Sequence, residues 1–127
     1  MQRDILIDTS VFIEYARTNA GLLEEVLLTA QRERCKLYTS CLTLYEFWRG
    51  SSMQRAEIRE KAEILFRDIV VLPCTAEIAK HAGTLDRERY DGVDSIIAAT
   101  AVIHDLRLAT LNSKDFSIYE EIELFTA

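Results

Sequence analysis

Four acids in this chain sit in neighbourhoods that do not suit a solvated surface charge. Asp8 closes the apolar run Ile5-Leu6-Ile7 and is followed by Thr9 and Ser10. Glu46 lies inside Leu42-Thr43-Leu44-Tyr45-Glu46-Phe47-Trp48, where aliphatic and aromatic residues leave little polar face. Asp94 opens Asp94-Ser95-Ile96-Ile97-Ala98-Ala99-Thr100-Ala101, and Asp115 lies in Thr110-Leu111-Asn112-Ser113-Lys114-Asp115-Phe116. Each also has an ordinary structural reading. Asp8 and Asp94 suit a helix start, where Asp caps or meets the helix dipole. Glu46 suits a narrow solvent stripe, and Asp115 suits a polar turn. Asp91, three residues before Asp94, reads as a surface charge.

Brought together, the four acids imply a definite chemistry. Two carboxylates 4 Å apart repel by about 4 kcal/mol at an effective dielectric near 20. That is a large part of a domain's net stability of about 5–15 kcal/mol. Protonation or a divalent cation removes the cost. An all-oxygen set without His or Cys suits hard Mg²⁺ or Mn²⁺ and not zinc.

The elements that must position these acids are legible as alternating strands and helices. Continuous apolar runs at Ile5–Ile7, Leu37–Thr39 and Ile69–Leu72 read as strands buried on both faces. A weaker fourth is expected at Arg107–Leu111 and a fifth near Glu123–Phe125. Helical stripes follow the i, i+3, i+4 rule at Leu23/Val26/Leu27/Ala30, Ile58/Ala62/Leu65/Phe66, Ile78/Ala79/Ala82/Leu85 and Ile97/Ala98/Ala101/Val102. Gly83–Val93 reads as the end of one helix and a loop. The alternation implies βα units, a mostly parallel sheet and α/β class, with residues 1–127 as a single domain. Ligands of such sheets bind beyond the carboxyl ends of the strands. That edge is where these acids are expected to converge.

Composition sets the remaining limits. Hydrophobic residues make up 49% and charged residues 28%, a globular balance. With 4 Gly and 1 Pro, linker-rich and all-β readings are disfavoured. No apolar run approaches a membrane helix, and the start does not read as a signal peptide, so a cytoplasmic location is expected. Cys35, Cys41 and Cys74 have no CxxC spacing and read as reduced thiols packed as small apolar groups. His81 and His104 are given no catalytic role. Phe47, Trp48, Tyr45 and Leu44 are expected to pack in the core, with a partner surface as the other reading. The net charge of −6 counts against gripping nucleic acid by charge alone. Setting aside four acids for a cation leaves 21 − 4 = 17 against 15 bases, close to balance.

Taken in order, Ile7-Asp8-Thr9-Ser10-Val11-Phe12, Glu46 with Gly50, Asp94–Ala101 and Thr110–Phe116 resemble the PIN-domain ribonucleases, most closely the VapC-type toxins of toxin–antitoxin pairs. The intervals between the acids are 38, 48 and 21 residues. The resemblance implies a doubly wound sheet of four or five parallel strands flanked by helices. It implies Mg²⁺- or Mn²⁺-dependent endonucleolytic cleavage of RNA, a homodimer, and a cognate antitoxin that blocks the site. It assigns Asp8, Glu46, Asp94 and Asp115 as the catalytic, metal-binding acids, with Asp8 and Asp94 as the leading direct ligands. Thr9, Ser10 and Asn112 match supporting polar positions. The family often has Arg after the Thr of its last motif, whereas this chain has Leu111. Arg17, Arg49 and Lys114 lie near motif residues and are the candidate RNA contacts.

Two other functions compete. A phosphatase of the haloacid-dehalogenase type needs a second Asp two residues after the first, and that position is Ser10. No GxxxxGK[ST] loop or GxGxxG turn exists, which disfavours a nucleotide site. A catalytically weak binding module of the same fold, acting through an antitoxin or a larger complex, is the alternative from another class.

Overall fold

Strand β1 (Ile5–Ile7) is fully buried, and its successive side chains enter two different cores. This is the period-two geometry of a strand covered on both faces. A computed structural model, which describes residues 3–87 and 92–126, sets β1 between β2 (Leu37–Ser40) and β4 (Arg107–Ala109), with β3 (Val70–Leu72) outside β2. The order is β3-β2-β1-β4 and every pairing is parallel. The register is Ile7 opposite Thr39 on one side and Ala109 on the other.

Helices cover both faces, which makes the sheet doubly wound. On one face lie α1 (Thr9–Thr18), α2 (Leu22–Glu33), α3 (Cys41–Trp48) and α4 (Ala56–Phe66). Their Val11, Phe12, Val26, Phe47 and Ala62 pack on Ile5, Ile7, Leu37 and Ala109. The Phe12 and Phe66 rings, 4.7 Å apart, close this core. On the other face, α6 (Val93–Ile103) and α7 (Ser113–Phe116) set Ile97, Ala98, Ala101 and Phe116 against Leu6 and Leu108. Helix α5 (Ala76–Leu85) packs on α6 through Ile78, Ala82 and Ala99.

Local chemistry fixes the element boundaries. Ser40 accepts the Leu42 N–H and Thr75 the Ile78 N–H, capping α3 and α5. Helix α1 ends at Asn19, whose left-handed backbone (φ 58°) lets its N–H reach the Tyr15 carbonyl. The turn into α2 needs Gly21: at φ 107° its missing Cβ leaves room for the Glu14 carboxylate, which accepts the Leu22 N–H.

Several expectations are corrected. The third strand begins at Val70, and it is not buried: Val70 is 49% and Val71 37% exposed. An edge strand has a neighbour on one side only, so an apolar run there need not be covered. Near Glu123–Phe125 there is one parallel bridge, Leu108 to Leu124, and no further strand among the described residues. Strand β4 stops at Ala109 because Thr110 and Leu111 turn to other partners. Phe47 is core and Trp48 half-buried beside it, but Tyr45 is exposed. Cys74 is exposed and not packed, and all three thiols are free. Helix α5 runs on to Leu85, while Asp91 lies outside the described residues. No helix among those residues is long and apolar enough to cross a membrane.

At the amino edge of the sheet, Arg107 is nearly buried. It pairs with Glu33 at 3.2 Å, stands over the Phe125 ring, and lies 3.3 Å from Cys35 Sγ. Burial pushes the Cys35 thiol up, against the opposing pull of Arg107. Cys35 should therefore alkylate more slowly at mildly alkaline pH than exposed Cys74, as mass spectrometry of peptides from an iodoacetamide time course will show. Packing makes a second prediction. Leu6→Ala should cost about 2–5 kcal/mol in chemical denaturation, whereas Ile64→Ala, at an exposed position, should stay within about 0.5 kcal/mol.

Candidate active site

The register of β1 against β4 decides where the first acid goes. Ile7 stands opposite Ala109, so the residues that follow, Asp8 and Thr110, meet at the carboxyl edge. The Asp8 N–H still donates to the Ala109 carbonyl at 2.9 Å, the last rung between the two strands. Asp8 occupies the position before the first turn of α1, but its side chain makes no capping hydrogen bond. Instead its Oδ2 accepts from the Thr110 hydroxyl at 2.8 Å and from the Ser10 hydroxyl at 2.9 Å. Those hydroxyls in turn accept backbone N–H groups, Asn112 to Thr110 and Leu111 to Ser10, each at 3.0 Å. Asp8 as a whole is 5% exposed.

Glu46 is joined to this cluster through the neighbour of Asp8. The Thr9 hydroxyl donates to Glu46 Oε1 at 2.8 Å, bridging the starts of α1 and the middle of α3. Helix α3 follows β2 without an intervening residue, so it rises from the same edge, and Glu46 is half-buried on it. Asp8 and Glu46 have hydroxyl partners and no Lys or Arg partner among the described residues.

Chain direction brings the other two acids to this edge. Helix α6 ends just before β4 begins at the amino edge, so its first turn, with half-buried Asp94, lies at the carboxyl edge. The buried Ser95 hydroxyl lies 2.6 Å from Asp86 Oδ2 and 2.8 Å from the Gly92 carbonyl, tying this start to the end of α5. Asp115 is exposed on α7, which begins four residues beyond β4, and its N–H donates to the Asn112 carbonyl at 2.9 Å. Asn112 is exposed before the first turn of α7, and its side chain makes no capping bond.

The three candidate bases are spread widely. Arg49 is exposed just after α3, about one turn from Glu46, and Lys114 is exposed beside Asp115. Arg17 is close to Asp8 in sequence but lies near the far end of α1, roughly 12 Å of helical rise from Thr9. There it lines a cleft of about 370 Å³ with Phe12, Tyr15, Phe47, Arg55 and Lys61.

Thr110 is the residue that the sequence analysis passed over as a site member. It stands in the quoted motif, but its role follows from β4 lying beside β1, which the motif does not state. A polar residue directly after a strand, like Asp8 itself, was the available signal.

The donor set can be tested against a metal ion. Among the described residues no group of three or more His, Cys, Asp or Glu side chains stands close enough to hold one. Two anchored carboxylates with hydroxyl support nonetheless suit Mg²⁺, which keeps several waters and commonly takes one or two protein carboxylates. The donors fit a hard cation and offer nothing soft.

Residues 5–121 match the PIN domain. The chain belongs to the PIN-domain family. It is 35% identical to ribonuclease VapC10 of Mycobacterium tuberculosis, over 94% of this chain and 90% of that one. It is 30% identical to ribonuclease VapC19 of the same organism, over 93% and 96%. Among solved structures, VapBC2 from Rickettsia felis bound to a DNA fragment from its promoter superposes with a TM-score of 0.82 at 19% identity, covering 95% of this chain and 96% of that one. This last likeness bears on the fold. Against the PIN pattern, Leu111 in the usual arginine position is 45% exposed, so the substitution leaves an apolar side chain at the rim of the edge.

The Thr9–Glu46 bridge makes a prediction. Thr9→Val keeps the shape and removes the donor, and it should lower stability by about 0.5–1.5 kcal/mol, because half-buried Glu46 can recover part of the loss from water. Urea denaturation of Thr9→Val and Thr9→Ser, the latter retaining the hydroxyl, separates the hydrogen bond from the packing.

Proposed function

We propose that this protein is a metal-dependent endoribonuclease that hydrolyses RNA phosphodiester bonds, acting as the toxin of a toxin–antitoxin pair. The observation that carries the reading is a buried carboxylate, Asp8, at the carboxyl edge between β1 and β4, held by hydroxyls and with no Lys or Arg partner among the described residues. The identity to two ribonucleases over nearly the whole chain supports the substrate class. The likeness to toxins solved with their antitoxins supports a cognate antitoxin as partner, and the family resemblance adds a homodimer and a cytoplasmic setting.

In this reading Asp8, Glu46, Asp94 and Asp115 would hold Mg²⁺ or Mn²⁺, and the ion would have to draw them together, because no three of them stand close enough in this structure. When bound, such an ion acidifies water to give a nucleophile near neutral pH and stabilises charge developing on the phosphoryl oxygens. The chain's own groups do the rest. Asp8 keeps a fixed orientation because Ser10 and Thr110 hold one of its oxygens. Thr9 holds Glu46 and thereby sets the spacing of α3 from β1. Asn112, exposed beside Asp115, is free to orient a phosphate or a water. Arg49, about one helical turn from Glu46, and Lys114, next to Asp115, offer exposed positive charge in a protein whose net charge repels RNA.

The test is cleavage of an end-labelled RNA pool by the pure protein. Activity is expected with Mg²⁺ or Mn²⁺, to disappear with a chelator and to return on adding metal. Asp8→Asn and Asp94→Asn should each lower the rate by about 10²-fold or more, since each removes preorganised charge. Equal rates in wild type and both variants would exclude the assignment. An inert wild type in both metals would favour the binding-module alternative.

A further inference from the structure

The hydroxyls around Asp8 do more than satisfy a buried charge. A hydroxyl has one proton to give and two lone pairs to receive. The Thr110 hydroxyl accepts the Asn112 N–H, so its proton is left for Asp8 Oδ2. The Ser10 hydroxyl accepts the Leu111 N–H, and its proton goes to the same oxygen. The two hydroxyl oxygens are 3.4 Å apart, a longer and weaker contact than the 2.8 and 2.9 Å bonds that each makes to Oδ2. Both protons therefore converge on Oδ2, and Oδ1 accepts no hydrogen bond among the described residues.

We propose that Thr110 and Ser10 are a pair of positioning residues that saturate one oxygen of Asp8 and turn the other outward as its ligand-binding atom. The same clasp couples Asp8 to the segment that carries Asn112 and Asp115. The donors to Oδ2 are the acceptors for the amides of Leu111 and Asn112, and the Asn112 carbonyl accepts the Asp115 N–H. Disturbing Thr110 thus disturbs the orientation of Asp8 and the seat of α7 together. This inference rests on the metal-dependent reading of the site, and it goes further by assigning a role to a residue that carries no charge and touches no substrate.

The test separates the clasp from the metal. Wild type, Thr110→Val, Thr110→Ser and Ser10→Ala are compared as intact proteins in two measurements. Without metal, amide hydrogen exchange should speed up at Asn112 in Thr110→Val and at Leu111 in Ser10→Ala. Exchange unchanged at both amides overturns the proposal, whatever the metal does. With Mn²⁺, followed by the electron paramagnetic resonance signal of the free ion, Thr110→Val should bind on the order of tenfold more weakly than wild type, and Thr110→Ser should recover most of the loss. In cleavage assays the same variant should need correspondingly more metal for half-maximal rate, while the rate at saturating metal changes much less. Faster amide exchange with Mn²⁺ binding as in wild type would reduce the hydroxyls to turn stabilisers and overturn the proposal. Failure of wild type itself to bind Mn²⁺, with the amides responding as expected, would overturn the metal reading and this inference with it. Should Thr110→Val not fold, Ser10→Ala reports on the same Asp8 oxygen.

Discussion

The structure turns on the crevice where β1 and β4 part. From β1 the chain moves through α1 and α2 to β2 on one side, and from β3 it crosses back through α5 and α6 to β4 on the other. At such a switch point the flanking helices leave on opposite faces, so the ends of β1 and β4 have no helix between them. Asp8 stands at that gap, almost fully buried. A carboxylate so placed costs several kcal/mol unless it is hydrogen-bonded. The Thr110 and Ser10 hydroxyls meet that requirement from both sides of the gap. The fold's topology and the site's chemistry are thus one constraint, met by one acid and two hydroxyls.

The kind of donor matters. At the amino edge the chain neutralises acids with cations: Arg107 with Glu33, and Arg3 with Asp105 and Glu123. At the carboxyl edge Asp8 and Glu46 meet hydroxyls. An arginine would cancel the negative charge it orients, whereas a hydroxyl orients the carboxylate and leaves its charge in place. A site that takes a cation, as proposed for this one, needs the second arrangement. The same contrast explains why the buried cation, Arg107, belongs to the frame: its charge is consumed by Glu33 and the Phe125 ring.

How much of this was legible in the sequence depended on the range of the signal. Ile5-Leu6-Ile7 ending in Asp8 carries its meaning locally, because a run apolar at every position has to be buried on both faces. Glu46 was legible because its aromatic neighbours leave it nowhere neutral to go. Val70 and Val71 misled for the same reason that Ile5 did not: an apolar run records a strand, not whether a second strand lies beyond it. The role of Thr110, as distinct from its place after a strand, could not be assigned without knowing that β4 pairs with β1, a contact spanning about a hundred positions. Arg17 lies away from the acids for a different reason. Nine residues separate it from Asp8, but a helix turns nine residues into distance along an axis.

That separation bears on how an acidic chain could act on RNA. The net charge of −6 opposes association, so affinity has to come from where the positive charges lie, not from their sum. Near the acids, Arg49 and Lys114 are exposed. At the other end of α1, Arg17, Arg55 and Lys61 surround a cleft against the single acid Glu57, with aromatic rings in its wall and Lys61 over the Tyr15 ring. Positive charge therefore gathers at this cleft near the far end of α1, away from Asp8 at the strand end. On the proposed reading, a strand that reached both regions would meet attraction at the basic end and depend on a bound cation at the acidic one. On that reading the acidic end would repel phosphate until a cation filled it, so metal loading would act on substrate affinity as well as on the chemical step.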